Sequence, residues 1–420
     1  MFSADELERL NERGDPELDA LVIALAEQSN GVKTVAALFK QVQQCERLSS
    51  EIIESLREQG LFSDALTEFF EQRSRVPKLP WIVPQQIAAG GEFFRKRGLM
   101  TFVGLAFASL PSCYCWSIEA EVLTTTGRLA QSKRIARRIP ETAQLVLDVG
   151  RSDGFADNGV AIQAAHKIRL MHSTIRYMLL TDPAAASVNP DRDKLKRWDR
   201  DKLGVPISQE FLAATLLSFH YVVLQSMQKL SMRLYAADAT GYLHLWNLTG
   251  WFIGIEESTL AKLVTMDDAQ QLYSLEMSRR RKQTESAHRL SSTLINYTTN
   301  NVIEGVFGKS LNPLTHTPRV LTRYLSGRTT ADALSLKFST VDYLLYLPIV
   351  WGTKLVGFLD NYRVFQRVTT ALTAYAARHL WQFTHEDNKG AHSVDEDPLV
   401  YVPEDLASNW SLKLNRHHSP

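Results

Sequence analysis

Residues 161–180 combine side chains that could bind a metal group with an apolar helical face. Apolar side chains recur there at helical spacing, and His172 falls on their side of the helix, with Arg169 and Arg176 one turn before and after it. Two guanidinium groups beside an apolar pocket need anionic partners. A haem offers an iron to a neutral imidazole and two propionates to the arginines, so the segment predicts haem binding. The alternative is a core histidine, and His166, on another side of the helix, is the weaker ligand candidate.

A second group of candidate residues precedes this helix. Arg138, Glu141 and Thr142 lie around a proline and directly before an apolar run. Their types could supply hydrogen-bond donors and a proton acceptor to a reacting group. An exposed helix start, with Glu141 in the first turn next to the helix dipole, explains the same pattern. The segment alone does not decide between the two.

Several common chemistries lack their motifs. The chain has no G-x-G-x-x-G after a strand, no Walker-type loop, no H-E-x-x-H and no G-x-S-x-G. Glu285-x-x-His288 occurs once, whereas a di-iron bundle needs that spacing on two helices. The basic run 279–282 lacks aromatic neighbours, so we interpret it as a solvated helix face rather than a nucleic-acid site.

Composition indicates a globular protein in a reducing environment. The 420 residues are 45% hydrophobic and 22% charged, with 47 Lys and Arg against 46 Asp and Glu. This balance gives no reason to expect a nucleic-acid partner. Three cysteines cannot form a disulfide framework, and the acidic N-terminus lacks the pattern of a secretory signal, so we expect a cytoplasmic location. The uncharged run 98–118 has the length of a membrane span, but Pro111 and several polar residues favour a buried helix pair; membrane association stays open, and no transmembrane helix is expected.

The candidate residues must be positioned by helices, because apolar residues recur mostly at spacings of three and four. The sequence therefore predicts an all-α fold. We expect two or three helices over 4–73, a proline-marked linker near 77–84, a nearly continuous helical block over 88–182, and an exposed connection to about 207. Helices should resume at Ser208 and run to about residue 383, with breaks near Gly241, Met266, Pro313 and Gly327.

Five motif groups in one order resemble a known family. They span about 91–336 and comprise Phe93-Phe94-Arg95 with Ser109-Leu110-Pro111 and Thr126-Gly127-Arg128-Leu129; Arg138-x-x-x-Thr142 followed by His172; Pro206-x-x-Gln209-x-x-Leu212-x-x-Thr215-Leu216; Tyr242, Trp246, Gly250 and Gly254; and Arg323-x-Leu325-x-Gly327 with Ala331-Asp332-x-Leu334. This pattern resembles the latex-clearing proteins, or rubber oxygenases, and the related fungal oxygenases that shorten a farnesyl chain.

The resemblance implies a globin-like helical core around haem b, with His172 as proximal ligand and Arg138 and Thr142 on the opposite, oxygen-binding side. It implies an oxidoreductase that uses O2 to cleave a C=C bond of an apolar, isoprenoid-like substrate. Rubber-cleaving members carry a lysine where this chain has Glu141, and they carry a secretion signal that the N-terminal pattern of this chain does not match, so a smaller alkene than polyisoprene is expected. A non-catalytic haem carrier, sensor or interaction protein is the alternative.

Within this scheme the proton acceptor is open between Glu141, Glu119 and Glu121. The expected organisation is an N-terminal helical extension over 1–75, a haem-binding catalytic domain over 76–386 and a polar tail over 387–420.

Overall fold

The computed structural model describes residues 2–116, 132–182, 198–303, 312–362 and 364–365. Every regular element in these ranges is a helix, and their only bridge between extended residues joins Trp116 to Arg281. The predicted all-α class is confirmed. The expected C-terminal tail lies outside the described residues.

The first seventy residues form five short helices. Four of them begin at a capping side chain, Ser3, Asp15, Ser49 or Ser63, that accepts a hydrogen bond from a first-turn amide. The helices are α1 (Ala4–Asn11), α2 (Pro16–Glu27), α3 (Val32–Gln44), α4 (Ser50–Glu58) and α5 (Asp64–Glu71).

A long apolar segment follows the linker. It consists of α6 (Pro84–Gly104), a π-helical turn (Leu105–Ser109) and α7 (Leu110–Cys115), with a kink at Arg97. Its length and composition would allow it to cross a membrane, but 67% of its apolar stretch is buried inside the fold. Burial of this extent favours the core-helix interpretation.

The remaining helices and helical turns follow in chain order. They are α8 (Ser132–Gly150), α9 (Val160–Thr181), α10 (Arg200–Leu203), α11 (Gln209–Phe219), α12 (Tyr221–Lys229), α13 (Ala236–Ile253), α14 (Glu257–Leu260), α15 (Met266–Arg280), α16 (Glu285–Tyr297), a π-helical turn (Thr298–Ile303), a 3-10 turn (Asn312–His316), α17 (Thr317–Ser326), α18 (Arg328–Ala333) and α19 (Thr340–Leu359). Ser208 caps α11, as the predicted restart requires.

The N-terminal helices share one hydrophobic core with the central ones. Leu7, Leu18, Leu38 and Leu66 belong to the same buried cluster as side chains of α6, α8, α11 and α13. Residue 75 therefore lies next to a linker in the chain, while the hydrophobic core continues on both sides of it.

Helices α6 and α13 cross closely where each carries a glycine. A methyl group at Gly90 would overlap the backbone carbonyl of Gly241. Gly241 lies inside α13, so the break predicted there is wrong. The glycine serves close helix packing, which its local sequence does not distinguish from a helix break.

This crossing predicts opposite effects for two glycine substitutions in helices. Gly90→Ala should lower the free energy of unfolding by about 1–3 kcal/mol, because the added methyl meets backbone that cannot move aside. Gly352→Ala in α19 has no atom within 4 Å and should raise it by about 0.5–1 kcal/mol. Urea unfolding of both variants measures the difference. Equal effects would show that the crossing is not tight.

Candidate functional site

The candidate residues lie on a helical hairpin formed by α8 and α9. The two helices pack together and are joined by residues 151–159, so they run antiparallel. The connection between α3 and α4 holds both: Arg47 binds Asp148 on α8 at 2.8 and 2.9 Å, and the Leu48 amide donates to the Gln163 carbonyl on α9 at 3.2 Å. The two contacts therefore fix α8 and α9 relative to each other near their connection.

Counted from their connection, Arg138 and His172 lie equally far along the two helices. At ~1.5 Å per residue, Arg138 lies about 18 Å before the end of α8, and His172 about 18 Å after the start of α9. Thr142 lies about 12 Å before the end of α8, between one and two turns nearer to the connection. The two predicted segments thus lie at similar distances from the connection on two helices that pack together. The Arg138 side chain, and Glu119 and Glu121 altogether, lie outside the described part of the chain.

His172 occupies the less covered side of α9. Its side chain is half-buried and its Nδ1 atom is shielded from solvent. Ala165 and Ile175 on the same side are buried, and Ile168 packs against the main core. The histidine therefore combines an apolar surround with remaining access.

The described part of α8 has two half-buried polar side chains in the predicted segment 138–142. Glu141 and Thr142 are both intermediate in exposure, and the neighbouring Ile139 packs against the cluster that contains Leu290 and Leu294 of α16. The surroundings of the candidate site are therefore α9 on one side of α8 and α16 on another. A carboxylate and a hydroxyl at such a position can accept and donate protons.

Arg169 is already paired within the chain. Its Nε donates to Asp15 Oδ2 at 2.6 Å and its Nη2 to Asp15 Oδ1 at 3.0 Å, and both side chains are at most 7% exposed. The guanidinium also lies over the Phe69 ring, 4.9 Å from its centre. This bidentate geometry is the strongest that an arginine makes with a carboxylate.

Arg176 is equally occupied. It binds the carboxylate of Asp19 and donates to the backbone carbonyls of Pro206 and Ile207 at 2.9 and 2.7 Å. Ser173, between the two arginines, donates to the same Asp19 carboxylate at 2.7 Å. The inference that Arg169 and Arg176 require the propionates of a haem is therefore wrong, because helix α2 supplies their anions.

The Arg169–Asp15 pair is the centre of a buried polar group, which we call the Asp15 cluster: Gly14, Asp15, Arg169, Gln209 and Gly254. Gln209 Nε2 donates to the carbonyls of Gly14 and Gly254 at 2.8 and 2.9 Å. Gly254 ends α13 with φ +101°, and a side chain there would meet Asp15 and Arg169. Residues quoted above for a family resemblance thus converge on a structural junction, which the sequence analysis missed.

His166 is a core histidine. It is 4% exposed and lies between the rings of Phe70 and Phe252, at 5.0 and 5.7 Å between centres. Burial, followed by the charges of Arg169 and Arg73, lowers the pKa of His166 to about 3. The side chain is therefore neutral at physiological pH and enclosed by aromatic rings.

The donor set fits a group that needs one protein ligand. The described ranges contain no cluster of three or more His, Cys, Asp and Glu side chains that could hold a metal ion. A porphyrin supplies four nitrogens of its own and requires one axial residue on the proximal side. Among the candidate histidines, His172 has the access that His166 lacks.

Comparison with known proteins places these elements in a family context. Residues 94–355 match the family model described as "ER-bound oxygenase mpaB/B'/Rubber oxygenase, catalytic domain". The rubber oxygenase of Streptomyces sp. (strain K30) is 27% identical over 248 residues, which are 58% of this chain and 53% of that protein. The alignment thus spans about half the length of this relative.

A solved structure has the same fold. It is that of latex clearing protein LCP in the closed state, with a TM-score of 0.65 and 20% identity, covering 90% of this chain and 91% of that one. The helical architecture, including much of the N-terminal region, is therefore shared.

The Asp15 cluster predicts a large stability loss for one acidic substitution and a small one for its neighbour. Asp15→Ala should lower the free energy of unfolding by about 3–5 kcal/mol, because it leaves the Arg169 charge buried without its carboxylate. Glu17→Ala is the control: Glu17 is 61% exposed and also contacts Arg169, at 3.6 Å, and its loss should cost at most about 1 kcal/mol. Urea unfolding measures both, and similar losses would contradict a dominant buried pair.

The depressed pKa of His166 predicts a dependence of stability on pH. The unfolded chain takes up a proton on this histidine below its ordinary pKa of about 6.5, whereas the folded chain does so only near a pKa of about 3. The contribution of neutral His166 is therefore complete above pH ~6.5 and declines as the pH falls towards about 3. Thermal unfolding of His166→Leu should match the unsubstituted protein at neutral pH and fall less steeply on acidification. An unchanged slope would show that His166 is protonated in the fold.

Proposed function

The chain belongs to the mpaB and rubber oxygenase family, and from this premise we propose that it is a haem b-dependent oxygenase that cleaves a C=C bond of an apolar, isoprenoid-like alkene with O2. Family membership supports an oxidoreductase. The haem, the alkene and the cleavage are the further steps of the proposal.

One observation supports the proposal: His172 on α9 and the Arg138–Thr142 segment on α8 lie at similar distances from the connection of two helices that pack together. An iron ligand on one helix, and side chains on the other helix that donate or accept protons, can act on opposite faces of a planar haem. Neither buried arginine beside His172 is needed for this, because both are held by α2.

The residues of the chain would divide the work as follows. His172 would hold the iron through an imidazole nitrogen, and the haem, when bound, supplies the site at which O2 is activated. The Thr142 hydroxyl and the Arg138 guanidinium would donate hydrogen bonds to polar atoms that form as O2 and the alkene react. Glu141 would accept an allylic proton on a carboxylate oxygen, with Glu119 and Glu121 as the other candidates. Apolar residues beside His172 would keep water out.

Substrate size is the point at which we expect this chain to differ from the rubber oxygenase. Glu141 stands where the rubber-cleaving pattern has a lysine, so the charge next to the reacting atoms changes sign. A changed charge alters which polar groups are tolerated beside the alkene. We propose a short isoprenoid alkene rather than polyisoprene.

Haem binding through His172 predicts a specific loss of colour. Protein from cells supplied with a haem precursor should show a Soret band, and acid–acetone should extract it completely, because the chain has no C-x-x-C-H motif for covalent attachment. His172→Ala should abolish or strongly alter the band. His166→Leu is the matched control on the same helix and should keep it, since His166 lies between two aromatic rings.

Oxygen consumption with a short isoprenoid alkene then separates an oxygenase from a haem carrier. We expect consumption by the unsubstituted protein and none by His172→Ala. A colourless unsubstituted protein, or a normal band in His172→Ala, would contradict the ligand assignment. A normal band without consumption would contradict the enzymatic part alone.

A further inference from the structure

Helix α19 exposes an apolar side to solvent. The side chains of Leu344, Leu347, Trp351, Leu355, Phe358 and Tyr362 are between 48% and 72% exposed. The first five follow each other at intervals of three and four residues and so form one stripe, about 21 Å long at ~1.5 Å per residue, and Tyr362 lies in the turn after the helix. We call it the outer stripe. An exposed apolar strip of this length indicates an interaction surface.

The opposite side of α19 is firmly seated on the protein. Asp342, Val350 and Gly357 are buried there, and a methyl group at Gly357 would overlap the Leu230 carbonyl. Asp360, directly after the helix, pairs with Arg97 of α6. The helix cannot roll to bury its outer stripe without breaking these contacts.

The chain segment that contains the outer stripe carries more basic than acidic side chains. Residues 312–362 contain five Lys and Arg (Arg319, Arg323, Arg328, Lys337 and Lys354) and three Asp. Two of the carboxylates, Asp342 and Asp360, are buried in ion pairs. Asp332 is the one exposed carboxylate of this range, and it is shared by Arg323 and Arg328. The exposed charge of residues 312–362 is therefore net basic.

We propose that the outer stripe of α19 is a docking surface for an anionic lipid bilayer, with the helix lying in the plane of the interface. Apolar and aromatic side chains would enter the boundary between headgroups and acyl chains, and Arg328, Lys337 and Lys354 would face the anionic headgroups. Two copies of the chain meeting at this stripe would bring like charges together, so the charge distribution favours lipid over a second copy. The inference rests on α19 and the basic residues that precede it and does not depend on the proposed oxygenase activity.

Vesicle binding of the full chain tests the proposal. The unsubstituted protein should co-sediment with vesicles of phosphatidylcholine and phosphatidylserine, bind more weakly to phosphatidylcholine alone, and lose binding as salt increases. Leu347→Glu should weaken partitioning by about tenfold or more, because one fully inserted leucine is replaced by a charge. Ile23→Glu is the control: it makes the same kind of change at a side chain of α2 that is 44% exposed and should leave binding unchanged.

A second readout locates the contact. Lipids brominated near the headgroup should quench tryptophan fluorescence in the unsubstituted protein, and Trp351→Phe should remove most of that quenching. Because Leu347 and Trp351 are both exposed, neither substitution should change thermal unfolding in the absence of vesicles.

Three results would overturn the proposal. Equal binding by Leu347→Glu and Ile23→Glu would place the lipid contact elsewhere. A dimer that Leu347→Glu dissociates would identify a second copy as the occupant. A marked loss of thermal stability in Leu347→Glu, together with no vesicle binding by the unsubstituted protein, would identify residues 366–420 of the chain itself as the cover.

Discussion

The buried ion pair between Arg169 and Asp15 fixes the helix on which the candidate site depends. Each charge has left water and is compensated by the other, so the pair holds only in this one geometry. With Ser173 and Arg176 bound to Asp19, it turns one side of α9 towards α2. His172 is ~40–60° around the helix from Arg176 and Arg169 and lies half-buried at the edge of this side.

The sequence indicates that Arg169 and Arg176 need anionic partners, but it does not show which residues supply them. Spacing of three and four residues was enough to predict helices, and the position of two arginines beside apolar residues was enough to predict bound anions. Asp15 and Arg169 are separated by 154 positions, and no local pattern connects them. One available signal was a pair of aspartates, Asp15 and Asp19, one turn apart at the start of α2 and on the same side as the buried Leu18 and Val22.

The candidate site was predictable to the level of helix faces. The stripe on α9 separates His172 from His166, and the structure adds the reason: Phe70 and Phe252 enclose His166. That α8 and α9 pack together could not come from spacing alone, because it depends on contacts between distant parts of the chain such as that of Arg47 with Asp148. Likewise, the local sequence around Gly241 does not reveal that α6 passes against it.

The central claim is that one imidazole, that of His172, holds a haem on α9. Chemical rescue tests it most directly, because free imidazole can occupy the space left by the ring. His172→Gly purified from cells supplied with haem precursor should be pale. Imidazole at low-millimolar concentration should then restore a Soret band close to that of the unsubstituted protein. Restoration in His166→Gly instead, or an unchanged band in His172→Gly before imidazole is added, would contradict the claim.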